Sequence, residues 1–136
     1  MHAFRQAVEA RDIAAIEACL ADDVVFTSPV AFKPYPGKAL TAAILRGVLR
    51  VFQDFRYVRE LDDAENGYSA LVFETLVDGK KVTGCDFIHV DADGLIDDFM
   101  VMVRPLSGAQ ALSEAMAAQF PQIQAEAAAA LAGQEQ

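Results

Sequence analysis

The chain has 136 residues, of which 20 are acidic, 11 are basic and 54% are hydrophobic, for a net charge of −9 at neutral pH. This length predicts one domain, and the hydrophobic fraction predicts a buried core rather than a disordered chain. The negative charge argues against nucleic acid binding, because phosphate contacts need a basic surface. The sequence contains neither an apolar run near the ~20 residues of a membrane span nor the apolar core of a signal peptide. We therefore expect a cytoplasmic protein that contacts no membrane.

Apolar residues at helical spacing predict three helices in the first half of the chain. The pattern over residues 3–20 is interrupted before Asp12, which predicts two short helices with Asp12 as the N-cap of the second. A third helix is predicted over 38–52. Between them, the β-branched and aromatic run over 24–27 predicts a short strand that ends at Ser28.

The loop that follows this strand contains Pro29, Pro34 and Pro36, so it is predicted to form neither a helix nor a central strand. It also carries three apolar side chains, Val30, Phe32 and Tyr35. An apolar loop of this kind is expected to fold over the edge of the core or over the mouth of a ligand site.

After residue 52 the hydrophobic pattern changes from helical to alternating, which is typical of strands. Hairpin turns are predicted at Asp78–Gly79 and at 91–94, and strands over about 55–61, 68–77, 81–90 and 95–104. Long consecutive strands joined by hairpins predict a curved antiparallel sheet.

The C-terminal segment is predicted to be a helix capped by Ser107 and broken or kinked near Phe120 by Pro121. The alanine-rich stretch over 125–132 has high helix propensity but few side chains to anchor it, so we expect it to fray or to dock on a partner chain. We assign 1–106 to one α+β domain and 107–136 to a C-terminal helical extension of that domain.

This order of elements predicts an α+β fold in which one face of the curved sheet wraps the N-terminal helices. Such a sheet leaves a cone, and the open end of the cone is a natural pocket.

Three strings carry a resemblance over residues 3–104: ARDIAAIEACLADDVVF, SPVAFKPYPGK and DFIHVDADGLIDDF. In their order and spacing the chain resembles the nuclear transport factor 2-like superfamily, in its SnoaL-like and ketosteroid isomerase-like branch. The resemblance implies a cystatin-like, cone-shaped α+β roll with an apolar pocket that takes a small apolar ligand. It also implies a homodimer through the outer face of the sheet, for which Phe87, His89, Met100 and Met102 are the candidates.

Members of this superfamily include isomerases, cyclases, dehydratases and epoxide hydrolases as well as non-catalytic binding modules, so the fold does not decide the function. Residue by residue, the general base of the ketosteroid isomerases corresponds to Ser28 and their helical tyrosine donor to Phe4. Their protonated aspartate corresponds to Asp86. Steroid isomerisation by that mechanism is not supported, since two of its three groups are replaced. The Arg/Asp pair of the limonene epoxide hydrolases also lacks a counterpart in 99–103.

Asp86 is the candidate catalytic residue. It lies in the middle of an apolar strand, where alternation places Asp86, Ile88 and Val90 on one face. If that face lines the pocket, loss of water raises the pKa of the carboxyl group. A neutral carboxyl group can donate a hydrogen bond to a ligand carbonyl, and an ionised one can act as a base. The alternative is a structural carboxyl group that a tyrosine or backbone amides satisfy.

Several other residues are predicted to bind the ligand. Tyr57 is either a hydrogen-bond donor in the pocket or a core residue, and Ser28 either orients a ligand or bonds its own backbone. Tyr35 is either a lid residue or a loop anchor. The full set of predicted ligand-binding residues is Phe4, Phe26, Ser28, Tyr35, Tyr57, Phe99 and Val101.

Neither a metal nor a cofactor is expected. Asp91 and Asp93 are typical turn residues, and the terminal glutamate of a calcium loop is missing at the required spacing. His89 alternates with Cys85 and Phe87, opposite Asp86, so we expect it on the surface or at an interface. Cys85 has no neighbouring cation to activate it.

Two functional hypotheses remain. The first is an enzyme that acts on a small hydrophobic carbonyl compound through acid–base chemistry at Asp86, as an isomerase, cyclase or dehydratase does. The second is a non-catalytic ligand-binding or dimerisation module of the same fold. Nuclear transport is a third hypothesis, for which the sequence gives no specific support.

Overall fold

The computed structural model describes residues 2–134. The first residue of the predicted domain, Met1, and the last two of the predicted C-terminal extension, 135–136, lie outside the described residues. Over that range the elements in chain order are α1 Ala3–Glu9, α2 Ile13–Ala18, β1 Leu20–Thr27, β2 Tyr35–Pro36, α3 Lys38–Val51, β3 Gln53–Asp63, β4 Tyr68–Val77, β5 Lys80–Val90, β6 Ile96–Arg104 and α4 Leu106–Gln134.

The strands form one curved sheet in the order β2-β1-β6-β5-β4-β3. The four long strands β3 to β6 pair with one another in antiparallel fashion, so the predicted α+β class is confirmed. The pairing of β1 with β6 is parallel, which the sequence does not predict. Because of this parallel pairing, the segments that follow β1 and β6 leave the sheet at the same end of the strands.

The first two helices end close to where the sequence places them. Asp12 caps α2, since its side chain accepts a hydrogen bond of 3.2 Å from the Ala15 amide. The strand after α2 starts at Leu20, however, four residues before the predicted start at 24. Leu20 is fully buried and pairs with Ile96, so a contact distant in sequence converts the predicted end of a helix into a strand.

The turn between β4 and β5 is the predicted hairpin. Asp78 and Gly79 both adopt positive φ, of 50° and 77°. Two consecutive residues with positive φ are what a two-residue hairpin of matching twist requires, and Asp-Gly is a favoured pair there. The turn holds Asp86 of β5 opposite Leu71 of β4 and places it in the middle of the sheet.

The C-terminal helix α4 differs from its prediction at its start and at Pro121. It begins at Leu106, so Ser107 lies inside the first turn rather than at the cap. It also continues through Pro121, and the predicted break is wrong. Tertiary contacts hold the helix beyond the proline, because Ile123 is fully buried against α3 at Gly47, where an added Cβ would lie 2.8 Å from the isoleucine.

The alanine-rich end of α4 is helical as far as residue 134, so the predicted fraying is wrong for the described residues. Glu126 accepts hydrogen bonds from Arg46 at 2.8 Å and from Arg50 at 3.0 Å, both on α3. Ala127 is buried in the core. These contacts supply the anchor that the alanine side chains lack.

Alternation along β5 is as predicted. Asp86 and Ile88 point to the buried inner face of the sheet, whereas Phe87 on the outer face is 38% exposed. The inner face and the helices enclose the hydrophobic core. None of the helices in residues 2–134 is long and apolar enough to cross a membrane.

Candidate functional site

The inner face of the sheet and the helices enclose an apolar cavity of about 410 Å³. This volume falls within the range of about 300–1,000 Å³ that is common for small-molecule sites. The structure brings all the predicted site residues together at its wall, and these are Phe4, Phe26, Ser28, Tyr35, Tyr57, Asp86, Phe99 and Val101.

Two aromatic clusters form most of the wall. Toward α1 and β1, the Phe99 ring contacts those of Phe4 and Phe26, with centroids 5.1 and 5.5 Å apart. Toward β3 and β4, the Phe55 ring lies 4.9 Å from Tyr57 and 5.1 Å from Phe73. Strand β5, which carries Asp86, runs between the strands of the two clusters.

Among the described residues that line the cavity, Asp86 is the one with a carboxyl group. Asp86 is 6% exposed and Tyr57 is 7% exposed. The Tyr57 hydroxyl donates a hydrogen bond of 2.9 Å to Asp86 Oδ2. Within residues 2–134 we find no hydrogen bond to Oδ1, so this oxygen is available to a ligand in the cavity.

Burial controls the protonation of this pair. Loss of water raises the pKa of Asp86 to about 7, and the hydrogen bond from Tyr57 opposes part of that rise. Burial, together with the neighbouring charge of Asp86, raises the pKa of Tyr57 well above its ordinary value. At neutral pH the site therefore holds a phenol that stays protonated and a carboxyl group that is present in both its protonated and its ionised form.

Arg5 of α1 fixes the other side of Tyr57. Its guanidinium carbon lies 5.8 Å from the centre of the Tyr57 ring, within the range of a cation–π contact. Arg5 also donates to Glu9 at 3.1 Å and to Glu60 on β3 at 3.3 Å. This network ties α1 to β3 and positions the phenol that holds Asp86.

The loop after β1 forms part of the cavity mouth. The Ser28 hydroxyl oxygen accepts a hydrogen bond of 3.1 Å from the Val30 amide, so it ends the strand as one of its two predicted roles requires. Within residues 2–134 this hydroxyl donates no hydrogen bond, so its proton is available to a ligand in the cavity that Ser28 lines. The expectation that the loop's apolar groups fold inward is wrong for Phe32, which is 98% exposed, whereas Val30 and Tyr35 pack against the core.

Ser28 lies at the same level of the sheet as Asp86. Thr27 pairs with Met100, so the next residue, Ser28, stands level with Val101, which pairs with Asp86. Two strand spacings of about 4.8 Å separate the backbones of Ser28 and Asp86. The hydroxyl and the carboxyl group therefore face one cavity from opposite sides of β6.

The sequence missed the helical side of the cavity. Helical spacing identified the buried stripe of α3 but not which of its residues would border empty space. The wall also contains Val8, Ile16, Ile44, Leu45, Val48, Leu49, Phe52, Leu112, Ser113, Met116, Ala117 and Phe120. The packing of the four helices on one another and on the sheet places these side chains, and no local pattern distinguishes a cavity wall from a core.

His89 lies on the outer face, as alternation predicts. Its Nδ1 is 2.6 Å from Asp97 Oδ1, and this hydrogen bond raises the pKa of His89. Residues 2–134 contain no group of three or more His, Cys, Asp or Glu side chains arranged to hold a metal ion. Asp86 therefore lines the cavity, whereas His89 does not.

A known domain family and several solved structures are similar to this chain. The profile of the SnoaL-like domain matches residues 1–99. A crystal structure of a steroid delta-isomerase from Pseudomonas aeruginosa is 41% identical, with a TM-score of 0.83, over 90% of this chain and 89% of that one. The chain belongs to the SnoaL-like domain family. The resemblance stated from the three sequence strings is confirmed.

Other similar structures agree on the fold. An uncharacterised protein with a cystatin-like fold from Silicibacter pomeroyi is 33% identical, with a TM-score of 0.81, over 93% of this chain and 95% of that one. A putative ketosteroid isomerase from Kribbella flavida is 20% identical, with a TM-score of 0.62, over 76% of this chain and 73% of that one, and shows the fold alone. A search of curated proteins finds no match to this chain.

Proposed function

We propose that this SnoaL-like protein is an enzyme that binds a small apolar carbonyl compound in its cavity and moves a proton on it through Asp86. The observation that carries the proposal is the buried carboxyl group of Asp86, held by Tyr57 at the wall of an otherwise apolar cavity. Such a cavity accepts hydrophobic molecules, and the few polar groups in its wall select those with a matching oxygen.

The acidity of Asp86 suits proton transfer at neutral pH. A group with a pKa of about 7 is present in both forms, which is the condition under which a side chain serves as base and then as acid. The carboxylate removes a proton from a carbon next to the carbonyl, and the electrons of that bond shift to the carbonyl oxygen. In a compound with a carbon–carbon double bond between the second and third carbons from the carbonyl group, the charge extends to the third carbon. Asp86 then returns the proton to that carbon, the carbonyl bond re-forms and the double bond moves next to it, so that the product is an isomer.

The developing negative charge on the oxygen needs a hydrogen-bond donor. Ser28 supplies one, because its hydroxyl proton is not used by the Val30 contact and it lines the cavity across β6 from Asp86. Tyr57 keeps its proton and orients the carboxyl group. The step needs no redox cofactor, since no electrons leave the molecule.

The likeness to known proteins supports the ligand class. The steroid delta-isomerase from Pseudomonas aeruginosa is, by its name, an isomerase of a polycyclic apolar substrate. In this chain the arrangement differs, since Ser28 and Phe4 occupy two positions of the ketosteroid isomerase mechanism. We therefore assign the proton transfer to Asp86 and not to Ser28 at the end of β1.

The test is hydrogen–deuterium exchange on β-tetralone, an apolar bicyclic ketone, followed by NMR in D₂O. We expect the protein to accelerate exchange next to the carbonyl group, and Asp86→Asn to abolish the acceleration while binding persists. Asp98→Asn makes the same substitution at an exposed residue of β6 that does not line the cavity, so it serves as the matched control and retains the exchange. Binding without any accelerated exchange in the wild type would contradict the enzyme and support a non-catalytic ligand carrier.

One observation favours a non-catalytic ligand carrier as the alternative function. Apart from the two tyrosines, Asp86 is the one ionisable side chain among the residues that line the cavity in the described part of the chain. A carrier needs a single polar anchor, whereas many enzymes have two titratable groups with different pKa values. The exchange experiment separates the two functions, because a carrier binds β-tetralone and leaves its protons in place.

A further inference from the structure

A second concave surface adjoins the cavity. It is an open groove of about 840 Å³ between the C-terminal half of α4 and the segment that leads into α3. We call it the outer groove, and the residues that form it in this argument are Tyr35, Leu40, Phe120, Ala127, Ala128 and Leu131.

The outer groove and the cavity share two side chains. Tyr35 and Phe120 line both, and their ring centroids are 5.8 Å apart. Both rings are half-buried. Any molecule that extends from the cavity into the outer groove therefore passes in contact with this aromatic pair.

We propose that the natural ligand carries an alkyl or acyl chain that leaves the cavity over Tyr35 and Phe120 and lies in the outer groove. This inference rests on the proposed function, in which the ring and oxygen of the ligand occupy the cavity. It narrows the substrate class from small apolar carbonyl compounds to those with a linear apolar substituent.

The surface of the groove fits a hydrocarbon chain. Leu131 is 52% exposed, and Ala128 is exposed beside it on α4, so a chain placed here removes apolar surface from water. The charged side chains of the groove are Asp22 and Lys38, which have opposite signs and therefore favour no net charge on the occupant.

The passage favours a chain over a ring. The rings of Tyr35 and Phe120 pack against each other, with centroids 5.8 Å apart, so an occupant crosses over the pair rather than between the rings. A flexible chain bends to follow that surface, whereas a rigid fused ring system does not. Small side chains at Ala127 and Ala128 leave a shallow path along the helix beyond the pair.

The test compares two fluorescent ligands, 6-acetyl-2-naphthol and 6-octanoyl-2-naphthol, by titration into the full chain. A fully buried methylene group improves affinity about fourfold, and the groove is open on one side. We expect the octanoyl compound to bind at least tenfold more tightly than the acetyl compound. Equal affinities in the wild type would overturn the inference.

Two neighbouring alanines offer a matched pair of variants. Ala128 and Ala129 are both exposed on α4, but Ala128 lines the outer groove and Ala129 does not. Ala128→Trp fills the groove and should reduce the ratio of the two affinities to about one. Ala129→Trp should leave the ratio as in the wild type. A ratio that survives in Ala128→Trp would overturn the inference.

The acetyl compound alone reports on the proposed function. If it does not bind to the wild type, the proposed role of the cavity fails. If the octanoyl compound nevertheless binds, and Ala128→Trp weakens it while Ala129→Trp does not, the outer groove stands as a separate site for an apolar chain. If neither compound binds, both proposals are wrong.

Discussion

The two faces of strand β5 place similar chemical groups in opposite environments. On the inner face, Asp86 is buried beside Tyr57, and loss of water raises the pKa of its carboxyl group. On the outer face, His89 stays accessible, and the hydrogen bond that its Nδ1 makes to the Asp97 carboxylate raises its pKa. On the inner face, therefore, burial sets the pKa of the titratable group, whereas on the outer face a hydrogen-bond partner does.

The largest expected contrast between the faces is in stability. Leu71 is fully buried on the inner face of β4, whereas Leu61 on β3 is 60% exposed. Leu71→Ala should lower the free energy of unfolding by about 2–5 kcal/mol, because it removes buried methyl groups and leaves a cavity. Leu61→Ala should change it by less than about 0.5 kcal/mol. Urea unfolding measures both, and equal losses would contradict the assignment of the two faces.

The next contrast is in pH dependence. The pKa of Asp86 is about 7 in the folded protein and ~3.9 in an unfolded chain, so between these values only the folded state holds the proton. Stability should therefore fall as the pH rises from about 4 to about 7, by up to about 4 kcal/mol. Asp86→Asn should remove this loss and be more stable than the wild type at pH 8.

The control for this prediction is Asp98→Asn, because Asp98 is exposed on β6. Its stability should follow that of the wild type within about 0.5 kcal/mol across the pH range. The quantity to compare is the difference between variant and wild type in urea unfolding, which cancels the titration of all unchanged groups. If the difference in stability between Asp86→Asn and the wild type does not vary with pH, the carboxyl group of Asp86 is in contact with water.

The outer face supports a proposal of its own, a homodimer. Phe87 is 38% exposed and Met102 is 54% exposed on adjacent strands. A second copy that covers them removes apolar surface from water. Light scattering should give twice the 14.7 kDa of one chain for the wild type and 14.7 kDa for Met102→Lys.

Phe32→Lys provides the control for the dimer, since Phe32 is 98% exposed on the loop that follows β1 and lies outside the long strands that carry Phe87 and Met102. It should keep the mass of the wild type. A wild-type mass of 14.7 kDa at all concentrations would contradict the dimer.

The smallest expected effect concerns the hydrogen bond from Tyr57 to Asp86. Tyr57→Phe removes a donor that favours the ionised carboxyl group, so the pKa of Asp86 should rise, by about one pH unit. Tyr35→Phe, which changes a cavity tyrosine that does not contact Asp86, should leave it in place. Carboxyl-carbon NMR measures both, and a fall in Tyr57→Phe would contradict the geometry.

Local patterns in the sequence predict a large part of this fold. The alternation of β5 assigns Asp86 and His89 to opposite faces, and the Asp78–Gly79 pair predicts the turn that brings β5 against β4. These features depend on two or three neighbouring residues, for which sequence patterns are informative.

The remaining features depend on contacts between distant residues. Leu20 becomes part of a strand because Ile96 pairs with it, and α4 passes Pro121 because Ile123 packs on Gly47 of α3. The hydrogen bond between Tyr57 and Asp86 joins positions on β3 and β5, on either side of β4. The sequence predicts that each of these two side chains faces inward but not that they meet.

The most direct test of the central claim is an NMR titration of the Asp86 carboxyl carbon in the wild-type protein, with Asp86→Asn to assign the resonance. A buried carboxyl group at the wall of an apolar cavity should titrate with a midpoint near pH 7. A midpoint at or below ~3.9, the value for a carboxyl group in water, would show that Asp86 is hydrated or fixed by hydrogen bonds. That result would contradict the proposed proton transfer.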